Sequence, residues 1–230
     1  MASADTARAR PSARRGRERE IVEATRRLFD DRGLQDAPIE QIARAVGINR
    51  ALIYRHFSSK EELFVATVTS YLAELDERGL AVDEAAEPAE LLREACDRYT
   101  SFCLEYPAFL DCSLSLMRRP ARELRAVVSD AVWFRLGRSM AACLSTLARI
   151  LALGKERGVF GIDDPDFSAN HLYTQVLGTM HLARIQVGVR ELSPGVPDVF
   201  PIDPERVKQA AIDDAMALAR IRAGDEARAA

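Results

Sequence analysis

The sequence predicts an all-α protein. Nearly half of its 230 residues are apolar and only 7% are aromatic, a composition that favours helices over sheets. Apolar residues recur at helical spacing through most of the chain, and glycines and prolines stand where these stretches end. We therefore expect a small N-terminal helical domain joined to a larger helical domain.

The first helix is predicted from about Arg17, where an apolar stripe through Ile21, Leu28 and Phe29 begins, to Gly33. Residues 1–16 are rich in arginine and lack any apolar periodicity. We expect them to form a flexible basic arm in front of the first domain.

Two short helices and a longer one follow. The second helix is expected after Pro38, since proline suits a first helical position. Gly47 marks a sharp turn, and Asn49 is a good N-cap for a third helix through His56. The run Ser58 to Glu62 contains overlapping capping boxes for a fourth helix, which begins at Lys60 and ends near Gly79.

The remainder also has helical periodicity. The segment from Leu192 to Asp203 holds four prolines or glycines and is predicted to be a loop. The predicted helices span 88–105, 108–118, 121–157 with a possible bend near Gly137, 166–189 and 204–222.

Charge is distributed unevenly along the chain. Residues 1–60 carry 13 lysines and arginines against 8 acidic residues, whereas the remainder carries 19 against 27. A basic front on an acidic body indicates that the first sixty residues meet a polyanion. The alternative is a solvated basic tail.

Several classes of protein lack support in the sequence. There is no apolar secretory segment, no run of about 20 apolar residues to span a membrane, and no CxxC pair among the four cysteines. His171 and His181 are about 15 Å apart on one helix, too far for a shared metal. We expect a soluble cytoplasmic protein without metal, cofactor or catalytic residues.

The second and third helices, joined through Gly47, have the spacing of a helix-turn-helix unit. Residues 49–56 would extend about 12 Å, which fits the major groove of DNA. Ile53 and Phe57 would pack inside, and the long polar side chains beside them would meet phosphates and base edges.

A longer motif runs through these helices and the start of the next. It consists of Phe29…Gly33, Ile42-Ala43, Val46-Gly47-Ile48-Asn49, Ile53-Tyr54-Arg55-His56-Phe57 and Ser59-Lys60-Glu61-Glu62-Leu63. Over about 45 positions it resembles the TetR family of bacterial transcriptional regulators. Ala37-Pro38 and Leu52 depart from the family pattern, since hydroxyl-bearing residues are common there.

The resemblance implies a DNA-binding set on these helices. Tyr54, His56 and Lys60 would contact the phosphate backbone, and Arg50 and Arg55 are the candidates for reading bases. The full set is Gln41, Arg44, Asn49, Arg50, Ala51, Tyr54, Arg55, His56 and Lys60.

The resemblance also implies that residues 17–66 form the DNA-binding domain and residues 67–225 a domain for effector binding and dimerisation. The last two helices would form the dimer interface, and an apolar or aromatic small molecule would bind in the body. We expect most of the candidate lining residues to be ordinary core and fewer than half to touch a ligand. The candidates are Tyr99, Phe102, Phe109, Met117, Trp133, Phe134, Met140, Tyr173 and His181.

The function that this resemblance implies is a ligand-responsive repressor, which binds a palindromic operator as a homodimer and is released by its effector. The alternative is a helical adaptor that binds protein and has lost DNA recognition. An all-helical enzyme has no positive feature in the sequence.

Overall fold

The computed structural model of the protein describes residues 3–32 and 38–220, and the side chains of residues 14–31 and 38–220. Their regular secondary structure is helical apart from one β-hairpin, which confirms the predicted all-α class. The helices are α1 Ser3–Arg32, α2 Ile39–Val46, α3 Arg50–Tyr54, α4 Lys60–Glu77, α5 Pro88–Glu105, α6 Pro107–Met117, α7 Ala121–Val127, α8 Asp130–Glu156, α9 Pro165–Ile185 and α10 Pro204–Arg220, and the strands are β1 Val187–Ser193 and β2 Val196–Pro201.

The described residues divide into two compact units. The first, called the head here, contains the chain up to Tyr71 together with Ser115–Arg138. The second, called the body, contains Leu72–Leu114 and the chain from Ser139 onward. Helices α4 and α8 each contribute residues to both units.

Helix α1 is longer than the sequence predicts. It begins at Ser3 rather than near Arg17, so residues 3–16 are helical where the sequence predicts no helix. Alanine and arginine both have high helix propensity, and such residues extend a helix without needing an apolar stripe. The predicted helix end at Gly33 lies outside the described residues.

The core of the head lies between α1 and the helices that follow it. Ile21, Phe29, Ile42, Ile53 and Phe57 are all buried. They occupy the apolar positions expected from the periodicity, and each removes a large side chain from water. Helices α2 and α3 are thereby held against α1, with their remaining faces outside.

The predicted long helix over 121–157 is interrupted. Helix α7 ends at Val127, Val128 is extended, and α8 begins at Asp130. Val128 is buried, and the neighbouring Ser129 side chain bonds to Glu62 on α4. The interruption therefore comes from contacts with a distant part of the chain, and Gly137 lies within α8 rather than at a break.

The core of the body is formed chiefly by α5, α9 and α10. Helix α10 packs against both of the others, and Leu92, Leu172, Leu177 and Ile212 are buried among these helices. Lys208 on α10 pairs with Asp97 on α5, with 2.8 Å between Nζ and Oδ1. The body is thus held by an apolar core with ion pairs at its edge.

A β-hairpin replaces the predicted loop and the end of the predicted helix at 166–189. Helix α9 stops at Ile185, because Gln186 adopts a left-handed conformation with φ 55°. Strands β1 and β2 then pair antiparallel, with Val189 opposite Val199. Both strands of a two-stranded sheet are edges, so Pro197 and Pro201 are tolerated there.

By length and composition alone, α8 could cross a membrane; it is the one such helix among the described residues. A single helix of this kind is weak evidence for a membrane protein, because core helices of other proteins pass the same test. The buried residues Leu136, Ile150 and Leu151 show that one side of α8 packs against protein.

Candidate nucleic-acid interface and ligand cavity

The turn between α2 and α3 is fixed by two local features. Gly47 has a left-handed φ of 71°, and its N–H donates to the carbonyls of Ala43 and Arg44. Asn49 caps α3, since its side-chain oxygen accepts from the Leu52 N–H at 2.8 Å. The predicted turn and N-cap are both confirmed, and they set the direction in which α3 leaves α2.

Helix α3 divides its residues between the core and solvent. Ile53 is 1% exposed, whereas Tyr54 on the next position is 45% exposed. Of the nine predicted DNA-binding residues, six are exposed and three, Gln41, His56 and Lys60, are partly buried. The exposed six are Arg44, Asn49, Arg50, Ala51, Tyr54 and Arg55.

Arg50 is held by an acidic residue that the sequence did not single out. Its Nη1 donates to Glu40 Oε1 at 2.9 Å, and its guanidinium carbon lies 5.9 Å from the centre of the Tyr54 ring. The hydrogen bond from Arg50 lowers the pKa of Glu40, and the charge of Lys60 acts in the same direction. Glu40 therefore sits as a carboxylate among the cations of this surface.

His56 is placed differently from the other candidates. Its side chain is only 12% exposed, and Nδ1 lies 3.7 Å from Glu18 Oε1 on α1. That nitrogen is buried and forms no hydrogen bond with any described residue. The imidazole thus faces the core side of the head, although its sequence position adjoins Tyr54 and Arg55.

The first turn of α4, which carries Lys60, is anchored by Ser59 and Glu62. The Ser59 hydroxyl accepts from the Glu62 N–H at 2.9 Å and donates to the Val127 carbonyl at 2.8 Å. Glu62, only 4% exposed, accepts from Ser58 and from the Ser129 hydroxyl. Burial alone would raise the pKa of Glu62, but the hydrogen bonds from Ser129 and Ser58 outweigh it and leave the pKa lowered.

A separate cavity of about 410 Å³ lies within the body. Its volume is in the range of small-molecule sites. Apolar and aromatic side chains form most of its wall. The lining residues are Leu72, Leu75, Asp76, Arg78, Gly79, Leu80, Ala95, Cys96, Asp97, Arg98, Tyr99, Ser101, Phe102, Glu105, Met140, Cys143, Leu144, Thr146, Leu147, Leu172, Tyr173 and Val176.

Four of the nine predicted ligand-binding residues line this cavity: Tyr99, Phe102, Met140 and Tyr173. The Tyr99 ring meets Tyr173 edge-on, with 6.0 Å between centroids. Aromatic pairs of this geometry are stabilising beyond their buried area. They give the cavity a rigid aromatic wall.

The other five predicted residues do not line the cavity. Phe109 is fully buried behind the wall, where it packs on Tyr99 and Phe102. Trp133 and the exposed Met117 and Phe134 belong to the head, and His181 is on the exposed side of α9. The apolar periodicity of the sequence does not tell residues that line a cavity from those that lie in the core or on the surface.

The charged residues of the cavity wall were missed by the sequence analysis. Arg78 donates to Glu105 at 2.6 Å and to the Tyr106 hydroxyl at 2.9 Å, and it also pairs with Glu74. Its guanidinium lies 5.3 Å from the centre of the Phe102 ring. These partners are up to 28 residues apart, so no local pattern in the sequence connects them.

The cysteines of the cavity wall are neutral thiols. Burial raises the pKa of Cys96 to about 12 and that of Cys143 to about 11, the latter with a contribution from the negative charge of Asp76. Such thiols are poor nucleophiles at neutral pH. They act here as small apolar wall residues.

Comparison with known proteins identifies the head. A profile for bacterial regulatory proteins of the tetR family matches residues 21–67. These residues contain α2, α3 and the first turns of α4, together with the part of α1 that carries Ile21 and Phe29.

Two relatives extend the comparison. The transcriptional regulator BetI of Rhizobium meliloti is 37% identical over 75 residues, 32% of this chain and 37% of BetI, so the match spans little more than a third of that relative. The transcriptional repressor AcnR of Corynebacterium efficiens is 27% identical over 192 residues, 83% of this chain and 92% of AcnR.

The fold is also shared over nearly the whole chain. The crystal structure of RolR in complex with resorcinol has a TM-score of 0.56 with this protein at 17% identity, over 95% of this chain and 94% of RolR. The profile match over residues 21–67 and the regulators among the relatives support membership of the TetR family of bacterial regulatory proteins, and the likeness to RolR shows that the fold is shared.

Proposed function

We propose that the protein is a ligand-responsive transcriptional repressor that binds a palindromic operator as a homodimer and is released by a small-molecule effector. The observation that carries the proposal is the exposed polar face of α3. Ile53 anchors the helix, while Arg50, Tyr54 and Arg55 remain outside. A helix presented in this way can enter the major groove of DNA.

The proposed roles follow from the side-chain chemistry. Arg50 reads a base edge, because a guanidinium can donate two hydrogen bonds to guanine. Ala51 is small and lets the helix approach the bases closely. Tyr54 and Lys60 bind phosphates, and Lys60 does so at the N-terminus of α4, where the helix dipole also favours an anion. Gln41, Arg44, Asn49 and Arg55 complete the proposed contact set. The remaining predicted member, His56, lies against Glu18 of α1 and would position its neighbours Tyr54 and Arg55.

The dimer would form through the exposed face of α9. Leu172 and Val176 are buried within the chain, so they are unavailable to a partner. Phe167, Leu182 and Ile185 are exposed by 68%, 38% and 47%, and Gly178 between them would allow close approach. A two-fold pair would place two copies of α3 on the two halves of a palindrome.

Effector control is proposed to act through the cavity and α4. The cavity includes Leu72, Leu75 and Asp76 on this helix, whose first turn carries Lys60. A ligand that binds one arrangement of α4 better than another shifts the population between them. Release follows if the favoured arrangement separates the two α3 helices by a distance that does not fit the operator.

The family relationship supports two further inferences. Its members are regulators rather than enzymes, and they work on cytoplasmic DNA. We infer the same for this chain: no catalytic role, and a cytoplasmic location.

DNA binding is tested by fluorescence anisotropy with duplexes tiled across the DNA next to the protein's own gene. We expect one palindromic duplex to bind preferentially. Tyr54→Phe and Lys60→Ala should weaken binding to all duplexes and flatten its salt dependence, while Arg50→Ala should change the preferred sequence. Arg206→Ala, an exposed arginine on α10, serves as the control. Unaltered operator binding by the three head variants, or no DNA binding at low salt, would refute the proposal and favour a protein-binding adaptor.

A further inference from the structure

The cavity in the body carries a negative electrostatic bias. Arg78 is shared between two carboxylates, Glu74 and Glu105, so this cluster keeps one net negative charge. Arg98 is bound to Glu94 at 2.6 Å, and Asp97 is bound to Lys208 at 2.8 Å. Every arginine of the cavity wall is therefore already paired, and none is left to receive an anionic ligand.

Asp76 adds a second negative charge to the wall. No described residue forms a hydrogen bond or an ion pair with its carboxylate, although Asp76 lines the cavity. Its charge reaches the cavity wall, since it raises the pKa of Cys143 there. Asp76 is an exposed residue of the cavity lining, so its carboxylate can form a charge-assisted hydrogen bond with a cationic group of a bound ligand.

The aromatic residues of the cavity wall also favour a cationic ligand over an anionic one. Tyr99 and Tyr173 line the cavity together with Phe102, whose ring already lies against the Arg78 guanidinium. The face of an aromatic ring attracts a positive charge. The same rings also provide a flat apolar surface for the hydrophobic part of a ligand. An anion would meet neither an unpaired cation nor a favourable ring face.

We propose that the effector is a compact aromatic or apolar molecule that carries a positively charged nitrogen. Its apolar part lies against Tyr99, Phe102 and Tyr173, and its cationic group lies at Asp76. This inference rests on the proposed effector role of the cavity and specifies the class of ligand that the cavity takes.

The test uses three probes that share one naphthalene ring and differ in one substituent: naphthylmethylamine, naphthylmethanol and naphthoate. Isothermal titration calorimetry at neutral pH gives Kd for each. We expect the amine to bind about three- to tenfold more tightly than the alcohol, the range of a partly exposed charge pair with an aromatic contribution, and naphthoate to bind most weakly.

The variant Asp76→Asn should abolish the difference between amine and alcohol. Asp214→Asn removes the same charge from an exposed position on α10 and should leave the order unchanged. If naphthoate binds as tightly as the amine, if the preference for the amine survives in Asp76→Asn, or if none of the probes binds, the inference is wrong. Operator binding by the wild-type protein is measured in parallel without probe, so a failure of the ligand preference is distinguishable from a failure of DNA binding.

Discussion

Glu40 on α2 and Arg50 on α3 form an ion pair across the turn of the proposed DNA-binding unit, with 2.9 Å between Oε1 and Nη1. Both side chains are more than half exposed, so the pair contributes little to stability. Its effect is instead on the position and charge of Arg50. Because DNA phosphates would approach the same surface, Glu40 opposes their binding.

Replacing Glu40 by Gln should therefore strengthen DNA binding. Removal of one negative charge from the interface should lower Kd for non-specific duplexes by about two- to fivefold at low salt, the size of one partly screened charge interaction. Fluorescence anisotropy over a series of salt concentrations measures the effect. Glu90→Gln, at an exposed position on α5, is the matched control; equal or weaker binding by Glu40→Gln would contradict this role.

Gly47 should be sensitive to substitution for a conformational reason. Its φ of 71° is left-handed, and a Cβ there would meet no atom within 4 Å, so any cost comes from the backbone alone. Gly47→Ala should destabilise the head by about 1–2 kcal/mol. Gly47→Asn should cost less, because asparagine tolerates this region. Urea unfolding compares the two variants, and equal midpoints for them would argue against backbone strain.

Glu62 should make stability depend on acid pH. Its folded pKa is lowered, so its contribution is present above the unfolded value near 4.5 and is lost as the pH falls through the folded pKa. Glu62→Gln should be less stable than wild type at pH 7 and should lose less stability on acidification. Urea midpoints at neutral and acid pH measure this, and parallel pH profiles of the two proteins would contradict it.

The proposed dimer should depend on the exposed end of α9. The double substitution Leu182→Glu and Ile185→Glu places two like charges on each partner within an apolar interface, which desolvation and repulsion disfavour. We expect monomers in sedimentation equilibrium and loss of palindrome binding. Phe134→Glu alters an exposed apolar residue of the head and should leave association unchanged. Persistence of the dimer in the double variant would place the interface elsewhere.

Helices α2 and α3 and the start of α4 could be predicted closely because each of these boundaries has a local cause. Pro38, Gly47, Asn49 and Ser59 act within one turn of their own position. The break at Val128 could not be predicted, since it depends on the burial of that residue and on the bond from Ser129 to Glu62, 67 residues away.

The remaining differences between prediction and structure concern the cavity and the hairpin, which depend on contacts between residues distant in the sequence. The aromatic residues of the cavity could be nominated from the sequence, but those that line it were mixed with core and surface residues. The ion pairs that set its charge, such as Arg78 with Glu105, join residues 27 positions apart. The hairpin was missed because its prolines suggested a loop, and only the pairing of Val189 with Val199 shows a sheet.

The contacts between the start of α4 and the α7–α8 junction constrain how the proposed switch could work. The Ser59 hydroxyl holds the Val127 carbonyl, and Glu62 holds Ser129. If α4 alone moved along or about its axis, both hydrogen bonds would break. A concerted displacement, in which α4 carries the beginning of α8 along with it, would preserve them. A ligand that moves α4 therefore also has to move the beginning of α8.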